Sequence, residues 1–297
     1  MVKVDKNRGI KAPLFFAIFY LFTIDCFAKS VKVHWFGTTF LILETDTSAI
    51  LFDPFISRPS LWKILSFQDL KEKEDVYNKW VPMTLQKKIK GIFISHTHYD
   101  HILDLGLSMK NNNSVLYGSK SARNIAKGKM IPLDRVKIIE VDKSIFVDKF
   151  KITTREGKHP SHIFGMTLAE GTVEKFKDPA SAFSYKTGDV YTFEIEIEDK
   201  RIFIASSGVP IWKKHYNRID YLFQGVANKR HYNELVEKQV VPSRAKKIIP
   251  IHFDDFFESV DKPLTELISA DVEKFKKLIP NGQGVIIPQF GKSVIVD

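Results

Sequence analysis

The chain has 297 residues, of which 44% are hydrophobic and 27% are charged, and this balance excludes a disordered, collagen-like or coiled-coil protein. The 45 basic and 35 acidic residues give a net charge of +10. Because the excess is spread along the chain, it favours an anionic small molecule or an anionic membrane surface over a dedicated nucleic-acid interface.

The first 28 residues have the pattern of a signal peptide. Basic residues precede the apolar run 13–24 (PLFFAIFYLFTI), which is too short to span a bilayer as a helix. Cys26 and Ala28 then supply small residues before a cut after Ala28, so residues 1–28 are predicted to be removed. The alternatives are an uncleaved membrane anchor and lipid attachment at Cys26. We therefore expect an exported protein, periplasmic or secreted, with residues 29–297 as a single domain.

Cys26 is the only cysteine of the chain, so no internal disulfide can form. The fold must therefore depend on packing or on bound metal.

Apolar strand patterns alternate with helical patterns along the rest of the chain. Strands are predicted over 31–36, 39–44, 49–53, 91–95, 114–118, 136–141, 144–155, 191–198, 201–205, 219–224, 247–252 and 284–287. Helical spacing covers 61–90, with Pro82 at a second helix start, and also 100–110, 231–240 and 264–278. Interleaved strands and helices indicate α/β layers that share one core.

A histidine-rich motif, HTHYDH over residues 96–101, directly follows the buried strand pattern GIFIS. Imidazole and carboxylate groups are ligands that Zn²⁺ and Fe²⁺ accept. His96 and His98 share one side because side chains two apart on a strand point to the same face. The turn into the next helix redirects Asp100 and His101, so the motif can serve two neighbouring metal ions.

This motif resembles the H-x-H-x-D-H signature of the metallo-β-lactamase fold superfamily. FGTTFLILETDTSAILFDPF, which contains Asp53, and IIPIHFDDFF, which contains His252, are similar to the superfamily in the same order. The resemblance covers roughly residues 31–290 and looks closest to the branch of phospholipase-D-like and lactonase-like hydrolases. It implies an αββα sandwich, a four-layer α/β fold, with a metal site at the edges of the sheets.

The resemblance also implies two sets of metal ligands. His96, His98 and a third histidine would hold the first metal, and Asp100, His101 and His252 would hold the second.

The segment GKHPSH offers two residues for the third histidine, His159 and His162. We prefer His159, because the turn at Gly157 and Lys158 releases it from the preceding strand. Asp53 resembles the superfamily's structural aspartate, which orients ligands through hydrogen bonds.

The chain departs from the superfamily after the strand pattern RIFIA. Most two-metal members place a bridging carboxylate there, whereas this chain has Ser206 and Ser207, of which Ser206 is the first residue past the strand. A neutral hydroxyl is a poor bridge, so the second metal is expected to bind weakly or to be absent. We expect one or two divalent cations per chain, with zinc first and iron or manganese as alternatives.

The predicted activity is that of a metal-dependent hydrolase. A metal-activated hydroxide would attack the substrate, and Asp100 would act as the catalytic residue that accepts or relays the proton. The absence of a G-x-S-x-G motif agrees with a mechanism that needs no protein nucleophile.

The predicted substrate is a small or lipid-like anionic molecule. An extracytoplasmic phosphodiester is preferred, a lactone or other ester comes second, and nuclease action comes third. The aromatic segment 61–80 is either an apolar lid that admits an acyl chain or a helix that covers the sheet. The alternative function is a metal-binding sensor or interaction protein with little turnover, and no protein partner is inferred.

Overall fold

The computed structural model describes residues 31–160, 169–207, 209–210 and 219–297. The predicted signal peptide and His162 lie outside the described residues. None of the described helices is both long and apolar enough to cross a bilayer.

The described residues form strands and helices throughout. The strands are β1 Val31–Trp35, β2 Leu41–Glu44, β3 Ala49–Phe52, β4 Asp69–Leu70, β5 Ile89–Phe93, β6 Val115–Gly118, β7 Val136–Ile138, β8 Ser144–Val147, β9 Phe150–Lys158, β10 Ala180–Ser181, β11 Tyr191–Ile197, β12 Lys200–Ala205, β13 Val209–Pro210, β14 Tyr221–Gly225, β15 Lys247–Ile251, β16 Gly284–Val285 and β17 Ser293–Val296. The helices are α1 Leu61–Leu65, α2 Glu74–Trp80, α3 Met83–Gln86, α4 Tyr99–Ile102, α5 Leu105–Lys110, α6 Lys120–Gly128, α7 Tyr232–Leu235, α8 Val241–Ser243 and α9 Val272–Leu278.

Within the described residues, the strands build two large mixed sheets. The first has the order β17-β1-β2-β3-β5-β6-β7, and the second has the order β13-β9-β11-β12-β14-β15-β16, with β8 paired to β9. Strands β1 to β3 pair antiparallel, whereas β3, β5, β6 and β7 are parallel neighbours. In the second sheet, β12, β14, β15 and β16 are parallel neighbours.

The two sheets face each other across an apolar core. Phe52 and Phe93 of the first sheet contact Phe193 of the second, with ring centroids 5.1 and 5.8 Å apart. The helices between β3 and β7 bury their apolar residues on the outer side of the first sheet, and α7 and α9 pack with the second. This layering confirms the predicted α/β sandwich.

The topology brings several strand ends to one edge of the sandwich. Parallel neighbours β3 and β5 end together, and so do β12 and β15 through β14. Strand β9 runs in the same direction as β12, because both pair antiparallel with β11. Polar residues that follow these strands can therefore meet.

Several observed elements differ from the predicted ones. The predicted strand 144–155 is the hairpin β8–β9, because Asp148 turns the chain with a φ of +50°. The predicted helix 264–278 begins only at Val272, where the Asp271 carboxylate caps the Lys274 N–H. The predicted helix 100–110 divides into α4 and α5, and helix α6 was not predicted at all.

Candidate metal centre

The predicted ligands follow the strand ends that meet at one edge of the sandwich. His96 and His98 lie in the loop after β5, and α4 carries Asp100 and His101. His159 directly follows β9 and His252 directly follows β15. The structure brings these side chains together in two groups of three, and within each group the ligand atoms lie within 4.8 Å of one another.

Two residues of the centre have left-handed backbone conformations. Asp53 directly follows β3 with a φ of +47°, and His252 directly follows β15 with a φ of +57°. Non-glycine residues rarely adopt such angles, and Asp and His tolerate them better than most. The energetic cost of these two left-handed backbone conformations is consistent with side chains that must point back towards the centre.

The Asp53 carboxylate connects both groups. Its Oδ1 accepts from the Ser95 N–H at 2.7 Å. Its Oδ2 accepts from the hydroxyls of Thr39 and Ser95, at 3.0 and 2.7 Å, and from His101 Nδ1 at 2.9 Å. In the neutral ring, donation from His101 Nδ1 to this carboxylate leaves the lone pair on Nε2.

Hydrogen bonds also assign the tautomers of the first group, His96, His98 and His159. The Ser95 hydroxyl donates to Asp53, so it accepts from His96 Nδ1 at 3.2 Å. Likewise, the Thr187 hydroxyl donates to the Ala169 carbonyl and accepts from His98 Nε2 at 2.9 Å.

His159 completes the first group, with Nδ1 lying 2.7 Å from the Pro160 carbonyl oxygen. That carbonyl can only accept, so Nδ1 donates, and in the neutral ring Nε2 carries the lone pair. In the neutral ring, each histidine of the first group therefore directs its other nitrogen as the ligand atom.

The donor set of the first group fits a divalent cation. His96 Nε2 and His98 Nδ1 lie 3.1 Å apart, and both carry lone pairs in the tautomers that their neighbours assign. Two lone pairs that face each other repel unless a cation or a proton lies between them. Three neutral imidazoles form a ligand set that Zn²⁺ commonly takes, with a further position left for water or substrate.

The second group, Asp100, His101 and His252, combines one carboxylate with two imidazoles. Asp100 Oδ2 lies 3.3 Å from His252 Nε2 and 3.6 Å from His101 Nε2. The two groups adjoin, since the rings of His96 and His101 have centroids 3.9 Å apart. Unlike the other histidines of the centre, His252 has a buried Nδ1 without a hydrogen-bond partner among the described residues.

Burial and neighbouring charges shift the pKa values of the centre. Burial, together with the nearby imidazoles, lowers the pKa of His96 well below its usual value, so this ring is neutral and free to act as a ligand. Burial alone would raise the pKa of Asp100, but the neighbouring His101 and His252 lower it. Asp100 is therefore an ionised carboxylate at neutral pH, as a ligand must be.

The two serines after β12 have different surroundings. Ser207 Oγ lies 3.2 Å from His101 Nε2, the free nitrogen of that ring. Ser206 is fully buried, and its hydroxyl has no hydrogen-bond partner within the described part of the chain. The structure therefore places Ser207, and not Ser206 as expected from its position after the strand, at the second group.

A buried ion pair supports the turn that holds His252. Arg58 pairs with Asp254, whose other oxygen accepts from the Thr38 N–H at 2.8 Å. The Thr38 carbonyl in turn accepts from the His252 N–H at 2.8 Å. Gly37 lies against this pair with a φ of +87°, and any Cβ at this position would collide with the Arg58 guanidinium.

The structure brings together every predicted ligand that it describes, while their roles as ligands stay a prediction. Sequence reasoning missed the residues that fix the tautomers, above all Ser95 and Thr187. Ser95 directly precedes the motif, which is a usable signal. Thr187 lies far away in a stretch without a strand or helix pattern, so no sequence signal identifies it.

The chain is similar to a known family and to several relatives. A sequence model for the family described as "Metallo-beta-lactamase superfamily" matches residues 34–174. The UPF0173 metal-dependent hydrolase YtkL of Bacillus subtilis is 24% identical over 262 residues, which cover 86% of this chain and 96% of YtkL. A UPF0173 metal-dependent hydrolase of Pyrobaculum islandicum is 22% identical over 256 residues, covering 84% of this chain and 92% of the relative.

Solved structures share the fold. Igni18, a metallo hydrolase from the archaeon Ignicoccus hospitalis, has a TM-score of 0.58 at 16% identity, and the match covers 90% of this chain and 99% of Igni18. Together, the family match, the relatives and the shared fold show that the chain is similar to the metallo-β-lactamase superfamily and has a fold of that kind.

Proposed function

We propose that this protein is an exported metal-dependent hydrolase that acts on a phosphodiester or an ester, lactones included. The observation that carries the proposal is the convergence of five imidazoles and one carboxylate at one edge of the sandwich. The names of the relatives from Bacillus subtilis and Pyrobaculum islandicum, both metal-dependent hydrolases, support the same reaction class.

The side chains around the centre would have different roles in such a reaction. A bound divalent cation acidifies its water and polarises a carbonyl or phosphoryl oxygen. The Asp53 carboxylate, whose two oxygens already accept four hydrogen bonds, orients ligands. The Asp100 carboxylate, which lies 3.3 Å from His252 Nε2, takes up a proton near the substrate.

An exposed apolar patch favours a lipid-like substrate. We define this apolar patch as Leu61, Trp62, Leu65, Phe67 and Phe183. Trp62 and Phe67 are 74% and 66% exposed, and the ring of Phe67 stacks on that of Phe183 at 4.9 Å. Large aromatic side chains in water are costly, whereas they are favourable at a lipid–water interface.

The apolar patch is connected to the metal centre through the chain. Phe183 lies four residues before Thr187, whose hydroxyl bonds His98, and exposed Lys186 lies between them. We expect an acyl chain on the patch to direct an anionic head group towards Lys186 and the centre. We therefore propose a phosphodiester at a membrane surface as the first substrate class, with zinc as the first metal.

Export is the part of the proposal that rests on the sequence alone. Cleavage after Ala28 would deliver a chain without cysteine to the periplasm or the medium. Sequencing the amino terminus of protein recovered from the producing cells tests this directly. A mature chain that begins at Lys29 supports export, and an intact Met1 in the cell interior refutes it.

Turnover by purified protein tests the hydrolase proposal. The protein is assayed with bis-p-nitrophenyl phosphate, a lactone and a thioester in the presence of Zn²⁺, Mn²⁺ or Fe²⁺. We expect metal-dependent turnover of at least one substrate, abolished by His98→Ala. Bound metal without turnover on any of them would instead support the sensor or interaction function.

A vesicle assay tests the role of the apolar patch. We expect Trp62→Ser and Phe67→Ser to reduce hydrolysis of anionic phospholipid vesicles and to leave hydrolysis of a soluble ester or diester unchanged. Ile268→Ser is the matched control, because Ile268 is an apolar residue that is 91% exposed and outside the patch. Equal effects of the three substitutions on vesicle hydrolysis would refute the role of the patch.

A second candidate function follows from one specific contact. Ser207 Oγ, His101 and Asp53 are connected by 3.2 and 2.9 Å contacts in the order of a Ser-His-Asp triad. A triad would leave the convergence of the first group unexplained, so we place it second. Ester hydrolysis that persists in chelator, together with labelling of Ser207 by a fluorophosphonate, would favour it over metal-dependent hydrolysis.

A further inference from the structure

The two ligand groups are not equivalent, and Ser207 lies beside only the second of them. Its hydroxyl is 3.2 Å from His101 Nε2, so it lies beside the second group, where it contributes no charge. Among the described residues of the two groups, Asp100 supplies the only carboxylate. The Asp53 carboxylate is engaged by Ser95, Thr39 and His101 and holds ligands in place.

The first group is also the better organised of the two. Each of its three histidines has its second nitrogen fixed, by Ser95, by Thr187 and by the Pro160 carbonyl. In the second group, His101 is fixed by Asp53, but the buried Nδ1 of His252 has no partner among the described residues. A ligand whose tautomer is not fixed loses more freedom when it binds a metal.

The small number of negative charges at the centre also weakens binding of a second cation. Two divalent cations in adjoining groups would repel each other strongly, because the surroundings are buried and screen poorly. One carboxylate, Asp100, offsets only a quarter of their four positive charges, and the Ser207 hydroxyl offsets none. The two groups touch through the rings of His96 and His101, with centroids 3.9 Å apart, so a cation in the first group opposes the binding of another in the second.

We propose that Ser207 limits the centre to one tightly bound divalent cation. His96, His98 and His159 hold this cation, while the second group is a weak and exchangeable position. This inference rests on the metal centre of the proposed function and goes beyond it, because it assigns unequal affinities to the two groups and names the residue responsible.

Metal titration of the full chain tests the inference without measuring activity. Metal-stripped protein is titrated with Zn²⁺ by calorimetry, and the metal retained after desalting is counted. We expect one tight equivalent in the wild type and a second that binds at least about 10-fold more weakly. Ser207→Asp adds a carboxylate beside His101 and is expected to strengthen the second equivalent by at least about 10-fold.

Ser207→Asn is the matched control, because it has the size of Asp without the charge. It is expected to keep a single tight equivalent. Two equivalents of comparable affinity in the wild type would overturn the inference, and so would a folded Ser207→Asp protein whose second equivalent stays as weak as in the wild type.

Two further variants decide the matter if Ser207→Asp fails to fold. His252→Ala is expected to keep the tight equivalent and His98→Ala to lose it, and the reverse result overturns the inference. Failure of the proposed function has a different signature. A protein with one tight equivalent but no turnover would refute the hydrolase and leave the unequal affinities standing.

Discussion

Asp53→Asn isolates the contribution of one carboxylate to metal affinity. An Asn side chain keeps the size of Asp and also tolerates the left-handed backbone at this position. Its carbonyl oxygen can still accept from the Ser95 N–H. Its amide nitrogen then faces Thr39, Ser95 and His101, which all donate to Oδ2 in the wild type.

The expected loss follows from the tautomer of His101. When the Asn amide donates to His101 Nδ1, the ring proton moves to Nε2, which can no longer act as a ligand. The Ser95 hydroxyl also loses its acceptor, so it no longer holds His96 in one tautomer. Loss of such supporting hydrogen bonds typically lowers metal affinity about 10- to 100-fold, or about 1.4 to 2.7 kcal/mol.

Competition of the protein with a chromophoric chelator for Zn²⁺ measures this change. Circular dichroism of the metal-free variant shows whether the fold is intact. Asp104→Asn is the matched control, since Asp104 is an equally buried carboxylate that accepts from the Ile56 and Ser57 N–H groups. A folded Asp53→Asn protein with wild-type Zn²⁺ affinity would refute the tautomer argument.

Three further predictions concern stability, pH and metal affinity. Arg58→Ala leaves the Asp254 carboxylate buried without its cation. We expect it to lower the free energy of unfolding, measured by urea denaturation, by about 3 to 5 kcal/mol. A loss below about 1 kcal/mol would contradict this expectation. Burial raises the pKa of Asp104 above its ordinary value of 3.8. The stability that the protonated Asp104 carboxyl contributes is therefore fully present below pH 3.8 and is lost as the pH rises through the pKa of the folded state. Asp104→Asn keeps the neutral form, so its unfolding free energy relative to wild type should improve as the pH rises above 3.8, and a constant difference would contradict the sign. Thr187→Val removes the acceptor for His98 Nε2 and should weaken Zn²⁺ binding about 10-fold, while Thr187→Ser should not.

The layered fold could be predicted because its signals are local. Apolar runs such as GIFIS specify buried strands, and β5 lies where this run predicts a strand. Helix α6 was missed although Ala122, Ile125 and Ala126 bury one face of it, because small residues give a weak apolar pattern. The pairing of β17 with β1 joins the two ends of the described chain, and no local pattern encodes that contact.

The candidate site was predictable to the extent that its residues are contiguous or follow strands. The motif of residues 96–101 is contiguous and follows β5, and His252 follows β15. The choice between Ser206 and Ser207 required the structure, because a one-residue step along a strand reverses the face of the side chain. Thr187 approaches His98 from a loop, so only the folded chain identifies it.

The strand ends that meet at one edge belong to both sheets, with β5 in the first and β9 and β15 in the second. An ion held there would link two sheets that otherwise contact each other through side-chain packing, the Arg58–Asp254 ion pair and hydrogen bonds such as that from the His252 N–H to the Thr38 carbonyl. It binds the folded chain and not the unfolded one, so each tenfold excess of free ion over its dissociation constant adds about 1.4 kcal/mol to resistance against unfolding. We therefore expect the supply of that ion in the surrounding medium to change the resistance of the protein to proteases, independently of any reaction it performs.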